Sequence, residues 1–285
     1  MKSILSFSLL ISIFLSSFSF ANSPEKIIWL QHNRPPWLIS KGPFKDQGYG
    51  DKVRELIKKK YLQDYQHISL PVNPSRESQI IMHTNQNICF GPNLKHKQYL
   101  SHFYWSKAVY TMPKARIILT KEKLEQLNNI DEISMEELIQ NQNYKFGHIK
   151  SAKYYPFDMS RYSNNDNIFT ISSSAPLTSL LKMMRRDRID WIFDHPVFVT
   201  WEAKVNKRKE DRFRTIKVKE FSNTPNPVAY IACRKNEFGK KIIERINKQI
   251  TPNDILEIRK ELRSWQLDEK TKQSFDKLNL ELFGF

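Results

Sequence analysis

The sequence predicts an α/β fold, and three observations carry that prediction. Short apolar, β-prone runs alternate with helix-period segments, the links between them are short, and two stretches break the alternation, at 104–120 and 214–234. Alternation with short links is the pattern of a parallel sheet covered by helices. The two breaks combine aromatics, prolines and strand-forming runs, and read as places where the chain crosses from one half of the molecule to the other and returns.

The elements follow in chain order. Residues 1–21 hold Lys2, an apolar serine-dotted run and the small residues of Ser19-Phe20-Ala21, the pattern of a cleaved secretory signal peptide. An uncleaved anchor is the competing reading, but the run is short for a bilayer and broken by serines. No cysteine follows it, which argues against a lipid anchor. About 264 residues then remain, enough for one large domain or for two lobes with separate cores. The mature protein is expected in a periplasm or outside the cell.

Residues 27–57, IIWLQHNRPPWLISKGPFKDQGYGDKVRELI, read as a buried strand, a proline-stiffened loop with an aromatic, a glycine turn and a helix from about Asp51. Val53, Leu56, Ile57 and Tyr61 share one face of that helix. In open α/β sheets small molecules bind beyond the carboxyl ends of strands, so the loop predicts one wall of a binding mouth. A second strand is expected at 67–72. Pro74 and Ser75 then begin a helix through Ile80, Ile81 and Met82, and a third strand at 87–91 ends in Gly91-Pro92-Asn93.

Beyond the first crossing, Ser134 and Glu137 form a capping box for a helix through Leu138 and Ile139, and a strand spans 144–149. Ser151 is placed to start the next helix. A strand at 167–174, a helix at 175–188 with Leu177, Leu180, Leu181 and Met184 inward, and a strand at 189–193 follow. The helix PVFVTWEAKV tolerates Pro196 in its first turn. A strand at 214–221, the break NTPNP and the strand VAYIACRK make the return crossing. Two closing helices run through Ile242, Ile243 and Ile246, and through Ile255, Leu256, Ile258 and Leu262.

With 46 Lys and Arg against 30 Asp and Glu the formal charge is +16, which suits anionic ligands or membrane surfaces. Nucleic acid is excluded as a partner because the basic residues are spread along an exported chain; a solvated basic surface explains them. The two cysteines, Cys89 and Cys233, read as one disulfide in an oxidising compartment or as two buried thiols. Seven scattered histidines and two distant cysteines have no metal-ligand spacing, and no cofactor motif is present.

In this order the pieces resemble the bacterial extracellular solute-binding proteins of family 3, with the type 2 periplasmic-binding fold. RPPWLI followed by GYGDKVRELI is similar to that family's proline-aromatic strand end, glycine and helix. NICFGPN resembles its third-strand end, and FYWSKAVY its entry to the first hinge. APLTSLLKMMRRDRIDWIFD resembles the helix, turn and aspartate-bearing strand of the second lobe, and VAYIACRKNEFGKKIIERIN the returning hinge strand and helix.

The resemblance implies two α/β lobes joined by two hinge crossover strands, with a first lobe from 22–112 and 228–285 and a second from 113–227. It implies ligand capture in the cleft and hinge closure, a monomer, and a membrane transporter of the ABC class or a sensor as partner. Cys89 and Cys233 then fall on neighbouring strands, which makes a disulfide reasonable. The implied ligand set is Arg34, Trp37, Asn93, Tyr99, Ser151, Asp194 and His195.

This chain departs from the family at several of those positions. Arg34 stands where amino-acid binders keep an aromatic platform, with Trp37 aligned to the later aromatic. Tyr99 stands where they keep a carboxylate-clamping arginine, and a phenol cannot make a charged fork. Lys95 or Lys97 offers charge only as a point donor. Ser151 and Ala152 align with the helix start whose N–H groups receive a ligand carboxylate. Asp194 lies one position before the aspartate that holds a ligand ammonium. These departures argue against a standard α-amino-acid ligand.

Each residue also has a plainer role: Trp37 as loop packing, Arg34 as a solvated charge, Tyr99 and Trp105 as hinge packing, Asp194 as a helix cap. The expected function is capture of a small polar or anionic solute for delivery or sensing. A dehydratase-like enzyme of the same fold and a ligand-free envelope scaffold are the alternatives. The chain has no G-x-S-x-G elbow or H-E-x-x-H helix, and only Asp194 and His195 offer acid–base groups, so no enzyme is expected.

Overall fold

The computed structural model describes residues 24–72, 79–81, 83, 86–150, 152, 157–162, 164–173, 176–207 and 212–285. The expected signal peptide, the helix start at Pro74 and Ser75, Met82 and Ser151 lie outside the described residues. Two six-stranded sheets form within them. The first takes β1 (Lys26–Gln31), β2 (Gln66–Pro71), β3 (Ile88–Leu94), β4 (Phe103–Trp105), β5 (Tyr110–Thr111) and the late strand β12 (Val228–Arg234), ordered β2-β1-β3-β12-β4 with β5 also on β12. The second takes β6 (Arg116–Thr120), β7 (Glu132–Ile133), β8 (Phe146–Ile149), β9 (Ile168–Ile171), β10 (Trp191–Asp194) and β11 (Phe213–Val218), ordered β7-β11-β6-β10-β8-β9.

The chain therefore builds two lobes and crosses between them twice, after β5 and before β12. In the first lobe β2 and β3 both run parallel to β1, while β12 enters antiparallel between β3 and β4. Helix α1 (Tyr49–Tyr61) covers this sheet with Val53, Leu56, Ile57 and Tyr61, all buried, each such side chain contributing roughly 2 kcal/mol. The second lobe adds α2 (Lys121–Gln126), α3 (Met135–Gln140), α4 (Pro176–Met184) and α5 (Val197–Val205). Its strands alternate as a sheet covered on both faces must: Ile118 and Ile192 face the α4–α5 side, and Ile117, Leu119, Trp191 and Phe193 the α3 side. The buried residues of α1, the hinge, α4 and α5 form one continuous apolar cluster across the two lobes.

After β12 the chain forms α6 (Glu237–Gln249), α7 (Pro252–Arg263) and α8 (Glu269–Phe283). Two closing helices were expected and a third is found. Helix α8 buries Thr271, Phe275 and Asn279, with Phe283 partly buried at its end, so its inward face mixes polar and apolar residues and gives a weak periodicity signal. Helix α7 runs through Ile255, Leu256, Ile258 and Leu262 as expected, burying all of them but Leu256.

The start of α3 is also built differently. The Ser134 hydroxyl accepts from Glu137 N, but the second carboxylate arm comes from Glu220, which accepts from Ser134 Oγ (2.7 Å), Met135 N (3.0 Å) and Glu136 N (3.0 Å). Three further expectations shorten. The strand at 167–174 ends at Ile171, the helix at 175–188 ends at Met184 ahead of Asp187 at φ 54°, and the strand at 214–221 turns into a 3₁₀ turn at Lys219–Phe221.

Candidate functional site

The loop after β1 is folded onto the start of α1 by backbone bonds. Arg34 N and Leu38 N exchange with the opposite carbonyls (2.8 and 3.2 Å), closing a tight turn around Pro35-Pro36-Trp37. Pro36 O and Trp37 O then accept from Tyr49 N (3.0 Å) and Gly50 N (2.8 Å), meeting two of the free donors at the helix start. This close approach requires glycine: a Cβ at position 48 would stand 2.3 Å from Trp37 O, and one at position 50 would stand 2.6 Å from Trp37 Cδ1. Asp51 seals the loop by accepting from Ile39 N (2.9 Å) and Gly48 N (3.0 Å); burial raises its pKa, and those two bonds oppose the rise.

The folded loop presents Arg34 to the other lobe. Its guanidinium lies 3.6 Å from Asp194 Oδ2 at the end of β10 and 5.8 Å from the Phe198 ring centroid in α5. The Arg34 side chain is 54% exposed and that of Asp194 only 7%, so the arginine forms the rim and the aspartate the floor. Asp194 Oδ1 accepts from His195 N (2.7 Å), and α5 starts at Val197 behind Pro196, with no side-chain cap.

Behind this pair lies Tyr49, at the first position of α1. Burial raises its pKa well above the ordinary phenol value, with Arg34 opposing and Asp194 adding to the rise. Tyr110, edge-on to it at 6.3 Å, is raised in the same way by burial and then by Tyr49. Both phenols are therefore neutral groups at neutral pH. His195 is pushed down by burial, against Asp194 and with Arg34, and its Nδ1 lies 3.1 Å from Pro113 O on the hinge. A carbonyl only accepts, so the neutral ring carries its proton on Nδ1.

The remaining candidates sit as follows. Trp37 is half-buried and stacks on His32 at 5.6 Å. Asn93 accepts from Leu94 N (2.8 Å) on the strand paired with Tyr230. Tyr99 is buried with Phe90 and Phe103 in the core on the far face of the first sheet, and Trp105 packs edge-on to Phe90 and Tyr230. Lys95 lies 3.9 Å above the Tyr230 ring. Ala152 N donates to Ile149 O (2.9 Å), and Ser151 is outside the described residues.

Arg34, Asp194 and His195 are thus brought together at one interlobe mouth, while Tyr99 is packed away from it. Phe198 joins the mouth and Tyr49 lies buried behind it, although the sequence reading passed over both. Tyr49 follows the glycine turn directly, which was the available signal. The contact thus brings a rim cation, a buried anion and an aromatic ring together between the lobes, with the two phenols packed in the apolar cluster behind them. Among the described residues no group of three or more His, Cys, Asp or Glu could hold a metal ion, and no helix is long and apolar enough to cross a membrane.

No protein-family model matches the sequence, and no curated protein matches it. Solved structures do match. One, from Streptococcus mutans, belongs to a description of glutathione import via GshT and the cystine ABC importer TcyBC; it is 13% identical with a TM-score of 0.62, covering 87% of this chain and 100% of that one. An amino acid ABC transporter substrate-binding protein from Streptococcus pneumoniae bound to L-arginine is 13% identical, TM-score 0.58, covering 90% and 94%. An ABC uptake transporter substrate-binding protein of the same organism with bound histidine is 12% identical, TM-score 0.55, covering 91% and 92%. The chain has the two-lobe periplasmic-binding-protein fold.

Proposed function

We propose that the protein is an exported solute-binding protein that captures a small polar or anionic solute between its lobes, for an ABC-type transporter or a sensor. The observation that carries this reading is the meeting of Arg34 from the first lobe with Asp194 from the second, over Phe198 and beside Tyr49. A solute that displaces this direct pair and bonds to both charges contacts both lobes at once, and only contacts made in the closed form reward closure. In this reading the signal peptide is removed, the protein acts as a monomer in the periplasm, and the lobes divide at 112–113 and 227–228. Trp37 and Asn93 line the first-lobe side.

Native mass spectrometry of freshly purified protein identifies a co-purified solute, and calorimetric titration then measures its affinity. Arg34→Ala and Asp194→Asn are each expected to weaken binding by about tenfold or more, the range of a charge-assisted contact. Solute binding unaffected by either substitution would place the site elsewhere. No bound solute and no response to a broad panel would favour the scaffold.

A further inference from the structure

Helix α5 meets the first lobe along one stripe. Asp194, just before it, faces Arg34, and Phe198 lies under the Arg34 guanidinium. Trp201 stands edge-on to Phe44, from the loop between β1 and α1, at 5.4 Å, and tilts against Trp265, beyond α7, at 6.1 Å. Lys204 Nζ sits 4.4 Å from the Trp265 ring centroid. Phe198, Trp201 and Lys204 recur at steps of three residues, so they share one edge of the helix. Phe44 and Trp201 are both half-buried, and Trp265 is buried at 4% exposure.

Two of these side chains, Trp201 and Lys204, touch the first lobe at Phe44 and Trp265 and belong to neither the rim nor the floor of the mouth. We propose that the stripe is an interlobe latch: Trp201, held by Phe44 and Trp265 and backed by Lys204, favours the closed form through the protein's own side chains. This rests on the reading of the cleft as a solute site. A solute then completes a closure that the chain already favours. Trp201 sets affinity without touching solute, because apparent affinity scales with the fraction of molecules in the competent form. Offset and edge-on aromatic pairs and a cation over an indole each add to burial, so loss of Trp201 shifts the closed-to-open ratio by about tenfold or more.

The test places one spin label on each lobe, through Lys59→Cys and Lys219→Cys, both exposed lysines, in protein unfolded and refolded to strip bound small molecules. The native cysteines are consumed in their disulfide and take no label. Pulsed electron resonance is expected to give one short interlobe distance in the parent. Trp201→Ala, and independently Phe44→Ala on its loop, move a large part of the population to a longer distance, while Trp201→Phe largely retains the short one. The same distance distribution in the parent and both alanine variants, each with a cooperative thermal melt, overturns the latch. So does a parent already at the long distance. Because the readout contains no solute, it stands or falls apart from the solute-binding reading. Solute binding alongside unchanged distances would sink the latch alone.

Discussion

The two sheets have the same number of strands but are held together by different means. The first is braced by long-range polar and covalent ties. Cys89 and Cys233, a cross-strand pair on β3 and β12 with Cα atoms 4.1 Å apart, are joined across 144 residues of chain. Buried Arg54 donates to the carbonyls of Leu30 (2.7 Å) and Gly91, tying β1 to β3. Asn279 in α8 grips the hinge strand β5, accepting from Thr111 N (3.1 Å) and donating to Thr111 O (3.0 Å).

The second sheet combines aromatic packing with polar ties made within its own stretch of chain. Phe146 stacks on Trp191 at 4.0 Å, Phe193 meets Phe221 at 4.9 Å, and the Arg185–Glu202 pair joins neighbouring helices. Its strands come from one continuous stretch, whereas β12 reaches the first sheet only after the whole second lobe. Long loops cost the most entropy to close, and the strong ties sit where that cost falls.

The sharpest way to break this contrast is to remove the disulfide. Cys89→Ala with Cys233→Ala is expected to destabilise the first lobe by about 5 kcal/mol in the chain-entropy description of a loop this long. Urea unfolding then resolves two transitions, with the second lobe the more resistant. A loss below about 1 kcal/mol would mean that the noncovalent ties suffice. Next in size is Asn279→Leu, which leaves the Thr111 N–H and C=O buried without their partner. About 3 kcal/mol of thermal stability is expected to go. A neutral result would show that water enters the hinge freely.

The smallest effect concerns His67, on the first sheet's edge strand. Its Nδ1 accepts from Trp29 Nε1 (3.0 Å) and its Nε2 reaches Leu62 O (2.9 Å), a pattern only the neutral ring satisfies. Burial lowers its pKa from 6.5. The neutral form is favoured by folding, so this stability is present above the unfolded value and is lost as pH falls through the depressed folded value. Unfolding measured at about pH 7.5 and about pH 5 is expected to show that slope in the parent and less of it in His67→Gln. An unchanged slope would move the acid sensitivity to other groups.

Much of the architecture was legible because it is written in local periodicity. The α1 face of Val53, Leu56, Ile57 and Tyr61 and the α4 face of Leu177, Leu180, Leu181 and Met184 are all buried as their spacing requires. Features whose partners are distant in sequence were not legible. Glu220 caps a helix some 85 residues away, α8 docks through an amide rather than an apolar stripe, and PVFVTWEAKV is so apolar that no single face stands out. Tyr99 shows the limit of alignment: a phenol in an arginine's position packs with Phe90 and Phe103, because an aromatic cluster rewards it more than solvent does.

The two crossings run side by side. Met112 N and Thr111 Oγ1 both donate to Pro227 O, at 3.0 and 2.9 Å, so the chain leaves for the second lobe and returns from it at nearly the same point. In construction terms the second lobe is an insert with adjoining ends, spliced into a host whose sheet pairs without it. A cut there, bridged by a short linker, spares every strand pairing of the first sheet. The molecule is thus divisible where its chain crosses: one lobe hangs from the other by two adjacent strands that share a single carbonyl.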